Sequence, residues 1–64
     1  MNLAVELTIT KPEGERFYHL YEKRANRDEP STFIGRYSGS EEVIKKAEGI
    51  IERRGGTITI DLRG

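Results

Sequence analysis

Ser38-Gly39-Ser40-Glu41-Glu42-Val43-Ile44-Lys45-Lys46-Ala47-Glu48-Gly49-Ile50-Ile51-Glu52-Arg53-Arg54-Gly55-Gly56-Thr57-Ile58-Thr59-Ile60-Asp61-Leu62 changes its hydrophobic period part-way along. Up to Arg54 the apolar residues Val43, Ile44, Ala47, Ile50 and Ile51 recur at the spacing of one buried stripe on a helix. After Gly56 the period is two. Ile58, Ile60 and Leu62 alternate with Thr57, Thr59 and Asp61, as in a strand with one face turned inward. The helix has its ends marked as well. Ser40 is placed to accept from an open N–H of the first turn, and Ser38 with Glu41 has the spacing of a capping box starting slightly earlier. Glu41 and Glu42 complement the positive end of the helix dipole, Arg53 and Arg54 the negative end, and Gly55-Gly56 stops the helix. Glu41–Lys45 and Glu42–Lys46 stand in the favoured i, i+4 order, worth about 0.2–0.5 kcal/mol each. Only Gly49 opposes the helix, at a cost of about 1 kcal/mol.

Upstream, three shorter segments read as strands. Leu3, Val5, Leu7 and Ile9 share one face, with Ala4, Glu6, Thr8 and Thr10 on the other. Lys11-Pro12-Glu13-Gly14-Glu15 then turns the chain, with proline setting φ and Gly14 free to take a positive one. Arg16 to Lys23 forms the second strand, with Phe17, His19 and Tyr21 on one side and Tyr18 and Leu20 on the other. The polar run Arg24 to Pro30 is a loop, and Thr32 to Tyr37 a third strand in which Gly35 marks either a bulge or a point of close approach.

Strand, strand, strand, helix, strand describes an α+β domain over residues 1–64: a four-stranded mixed sheet with a single helix on one face. Short turns make the first three strands antiparallel, and a right-handed crossover through the helix leaves the fourth parallel to the first and third. The most aliphatic inner faces belong to strands one and four, which favours placing them side by side in the order 3-2-1-4.

Composition narrows the chemistry. Eleven basic and eleven acidic residues cancel, and no cysteine is present, so disulfides, Cys-based zinc sites and thiol catalysis are excluded. Gln is absent and Asn and Met are scarce beside abundant Glu, Lys, Arg and Ile, which is the compositional pattern of a thermophile. The first ten residues alternate in polarity without a basic start, so neither an export signal nor a membrane span is expected and a cytoplasmic location is. His19 is the only histidine; it reads as a hydrogen-bonded or solvent-facing strand residue, since no spacing brings it to Asp28 or Asp61 together with Ser31, Ser38 or Ser40. The glycines form no phosphate loop. No catalytic, metal or cofactor residues are therefore assigned, and a non-enzymatic protein is expected.

The functional signal lies in strands two and three, which are apolar on both sides while one helix covers one face. Either Tyr18, Leu20 and Ile34 remain on the open face, or Phe17, Tyr21, Phe33 and Tyr37 do. The first set is the expected interface and the second its alternative. An uncovered apolar patch suggests a protein-interaction module, contacting a second copy or another protein through the open face or an edge strand. The alternative function is single-stranded nucleic-acid binding, with sheet aromatics stacking bases and Lys23, Arg24, Arg27 and Arg36 near the phosphates. Zero net charge disfavours it.

Overall fold

Val5, Leu7 and Ile9 are almost completely shielded from solvent, and the sheet is built around the strand that carries them. A computed structural model describes residues 4–62 and gives the order β1 (Val5–Thr10), β2 (Tyr18–Arg24), β3 (Thr32–Tyr37), α1 (Ser40–Arg54) and β4 (Gly56–Asp61). The strands form one sheet in the order β3-β2-β1-β4, the arrangement expected from the aliphatic faces. β1 pairs antiparallel with β2 and parallel with β4, and β2 pairs antiparallel with β3. This is an α+β fold with a mixed sheet and one helix. Leu3, placed by the alternation in the first strand, lies outside the described residues. The second strand begins at Tyr18, two residues later than Arg16, because the chain is still bending at Arg16 and Phe17.

The helix contributes Val43, Ala47 and Ile50 to the core, against Val5, Leu7 and Ile9 of β1 and Leu20 of β2. Tyr18, Ile34 and Tyr37 pack at its margin. This reverses the expected faces. Leu20 is fully buried beneath the helix, and Tyr18 and Ile34 accompany it, so none of the three lies on the open side. A second correction concerns β4. Ile58 and Ile60 stand opposite Leu7 and Ile9 and share their face, yet only Ile58 is half-buried; Ile60 and Leu62 are each 53% exposed. A helix about 10 Å wide can seal about two strands of about 4.8 Å spacing; here the sealed side chains are those of β1 and β2, while β3 and β4 meet the helix with half-buried residues. Ile44 and Ile51 are likewise only half-buried. In a crossover of the usual right hand they lie on the helix flank that faces β4.

The helix ends follow the expected plan at one terminus and depart from it at the other. Gly39, extended at φ −127° and ψ 151°, is the N-cap, and no side chain caps the helix. Ser40 is already helical, and the Ser38 hydroxyl donates to the Glu42 carboxylate at 3.2 Å, so neither expected serine cap forms. Glu41–Lys45 and Glu42–Lys46 do not close into ion pairs either; exposed pairs of this kind gain little from contact. At the other end Gly55, at φ 78°, donates to the Ile51 carbonyl at 2.6 Å and turns the chain out of the helix. Arg54 reaches Glu22 of β2 at 3.1 Å and ties this terminus to the sheet.

Two glycines make opposite tests of this packing. Gly49 faces solvent, and a methyl group there meets nothing within 4 Å. Gly49→Ala should raise stability by about 1 kcal/mol and shift the thermal midpoint upward by roughly 4–8 °C. Gly56 combines φ +128° with backbone so close that an added Cβ would fall 1.8 Å from the Val5 carbonyl oxygen. Gly56→Ala should therefore detach the start of β4 and lower the midpoint. Thermal melts followed by circular dichroism check both; a Gly56→Ala variant as stable as the parent would contradict the close approach of β4 to β1.

Candidate interaction face

On the side of the sheet away from the helix, alternation along β2 projects His19, Tyr21 and Lys23. Opposite them, β3 has an irregular register: Leu20 pairs with Gly35 but Tyr21 pairs with Phe33, leaving Ile34 as the extra residue of a β-bulge. The bulge decides which aromatics meet. In a regular strand Phe33 and Tyr37 would share a face, whereas here Phe33 joins Tyr21 on the open side and Tyr37 pairs with Tyr18 on the helix side. Tyr37 lies back over Gly35, whose missing side chain leaves 3.4 Å between the Tyr37 hydroxyl and the Cβ position.

The result is a three-ring cluster on the open face. Phe33 packs edge-on against His19 at 5.6 Å and against Tyr21 at 5.5 Å between ring centroids, and His19 lies 6.4 Å from Tyr21. Edge-to-face contacts of this kind add about 0.5–1.5 kcal/mol beyond area burial. Phe33 remains 50% exposed, and Phe17, just before β2, 39%. The Arg36 guanidinium sits 5.4 Å from the Phe17 ring centroid, so an aromatic and a cation share one patch. Of the alternative set, Phe17, Tyr21 and Phe33 thus belong to the open side and Tyr37 does not. His19 was absent from both sets; its i, i+2 spacing with Phe17 and Tyr21 was the available signal.

The four basic residues considered for phosphate contact do not form one surface. Lys23 is on the open face but meets Glu6 at 3.2 Å and donates to the Arg27 and Arg24 carbonyls at 2.7 and 3.3 Å. Arg24 closes a fork on Glu29, with contacts of 2.8 and 3.2 Å to one carboxylate oxygen and 3.4 Å to the other. Arg27 lies in the exposed β2–β3 loop, in which Asn26 takes the left-handed conformation at φ 61°. Only Arg36 stands beside the aromatic cluster with its guanidinium on a ring.

The His19 Nε2 atom lies 3.3 Å from Glu15 Oε1, and its ring stands against those of Tyr21 and Phe33. Among the described residues, no group of three or more His, Asp or Glu side chains converges as metal ligands would. No described helix is long and apolar enough to cross a membrane. Comparison with protein-family models, curated proteins and solved structures finds no match to this chain.

The Arg24–Glu29 fork has a pH signature. Hydrogen bonds from the Arg24 side chain hold the Glu29 carboxyl below its ordinary value and the guanidinium above its own, while partial burial of the carboxylate opposes the shift. A carboxyl depressed in the folded state contributes stability above its unfolded pKa, and that contribution is lost as pH falls through the folded value. Arg24→Ala should raise the Glu29 carboxyl toward the ordinary glutamate range, as read from its side-chain carbonyl shift during an NMR acid titration; the Arg24 backbone N–H and Arg27 remain to hold part of the shift. A Glu29 that titrates identically in both proteins would remove the fork.

Proposed function

We propose that this chain is a small non-enzymatic protein-interaction module that contacts another protein through the open face of its sheet. The observation that carries this reading is the Phe17, Tyr21 and Phe33 group with His19, an aromatic patch that no element among the described residues covers. Rigid aromatic side chains on strands offer large contact area with little loss of side-chain freedom, which is why they anchor interfaces. Around them β1 and β4 present Glu6, Thr8, Thr10, Thr57 and Thr59, a polar surround suited to a contact that forms and dissociates in water. A cysteine-free chain suits a reducing, cytoplasmic setting.

Single-stranded nucleic acid is the second reading, favoured by one observation: Arg36 over Phe17 beside the ring cluster resembles a base-stacking platform with a phosphate contact. The neutral chain and the engagement of Lys23 and Arg24 by Glu6 and Glu29 weigh for protein instead.

A photoreactive benzophenone amino acid at position 33, compared with one at position 52 on the outer surface of the helix, tests the proposal in cells of the source organism. Position 33 should yield a discrete protein adduct that Tyr21→Arg abolishes, and position 52 should yield none. Absence of an adduct, or equal labelling at both positions, would overturn the reading. Tight low-salt binding of a fluorescent single-stranded oligonucleotide, lost in Phe33→Ala, would replace it with the second.

A further inference from the structure

The two edges of the sheet are unequal. At β3 the bulge at Ile34 breaks the regular spacing of outward groups, and Pro30 stands just before the strand. β4 has neither device. It keeps an unbroken register with β1 from Gly56 to Asp61, contains no proline, lysine or arginine, and among the described residues has no strand on its outer side.

Backbone geometry shows which of its groups face outward. The Val5 N–H donates to the Gly55 carbonyl at 3.0 Å while Val5 stands opposite Gly56. In a parallel ladder this turns the N–H and C=O groups of the odd-numbered β4 residues toward β1 and those of Gly56, Ile58 and Ile60 away from it. The same even-numbered positions carry the side chains that the helix leaves open, Ile60 at 53% and Ile58 at its margin, followed by Leu62 at 53%.

We infer that β4 pairs antiparallel with β4 of a second copy, about a two-fold axis through Thr59, to make one continuous eight-stranded sheet. In this register Ile58 of one protomer faces Ile60 of its partner and exchanges both backbone hydrogen bonds with it, Thr57 meets Asp61, and Thr59 meets Thr59. Side-chain alternation is preserved, so the isoleucines of both copies lie together on the helix side. The charges also agree: Asp61, the one charged residue of the strand, falls opposite Thr57 and away from its own copy. Sliding the strands by two residues toward their starts keeps five paired residues but sets Ile60 against Gly56 and Ile58 against itself, sliding by two the other way shortens the paired segment, and sliding by one puts isoleucine against threonine on opposite faces. The strand is thus complementary to itself, as a two-fold contact demands. This surface is separate from the open aromatic face, which the pairing leaves uncovered.

Sedimentation equilibrium over the micromolar range should give twice the chain mass for the parent protein. Ile60→Pro removes an N–H that does not bond to β1, and Ile60→Lys places a charge beside the partner's Ile58; both should sediment as folded monomers, while Phe33→Asp remains dimeric. Amide exchange read by NMR should show the Ile58 and Ile60 N–H groups protected only at dimer-forming concentrations, which decides the matter even where Ile60→Pro fails to fold. A parent chain that stays monomeric overturns the inference. So does an Ile60→Lys protein that stays dimeric, and if Phe33→Asp is then the variant that dissociates, self-association belongs to the open face.

Discussion

A single helix about 10 Å across has to shelter a sheet four strands wide, and most features of this protein follow from that mismatch. The helix settles over β1 and β2, so Val5, Leu7, Ile9 and Leu20 are sealed while Ile60 and Leu62, facing the same way, stay half in water. Among the described residues no element covers the far side of the sheet. Its residues are therefore free to be selected for contact, and they include Tyr21, Phe33 and Phe17. A domain of this length buries only about 60% of its unfolded surface in any case. Here the deficit is concentrated in two places, one edge and one face.

The fold was legible because it rests on local periodicity. The change of period between Arg54 and Thr57, with Gly55-Gly56 between, marks helix and strand without reference to the rest of the chain. The inner aliphatics of β1 then place it beside β4. What could not be read was the side on which β2 is buried, because Tyr18 and Leu20 are as apolar as Phe17 and Tyr21. In the structure Leu20 lies beneath Val43, Ala47 and Ile50, with the Tyr18 and Tyr37 rings at the margin of that core, and Phe17, Tyr21 and Phe33 go to the open side.

The bulge was the other obstacle. Gly35 marked the place, but a glycine signals irregularity without specifying which neighbours change face. Once Ile34 becomes the extra residue, Phe33 and Tyr37 separate, and a four-residue patch read from alternation becomes three aromatics plus His19. The ends of the helix illustrate the same limit on a smaller scale. Serine, glutamate and lysine at suitable spacing suggested side-chain caps and ion pairs, yet Gly39 caps with its backbone and Ser38 prefers Glu42. Exposed polar contacts differ so little in free energy that spacing alone does not choose among them.

The irregular β3 edge has a further consequence. A sheet with two regular edges is a monomer for polymerisation, since every added copy presents a fresh edge to the next. A kinked edge is a poor template, so a chain with one straight and one kinked edge offers a further strand a single good docking side. The residue displaced to bring Phe33 beside Tyr21 therefore also blunts that edge, so one irregularity both arranges the aromatic face and makes the β3 side a poor template for a further strand.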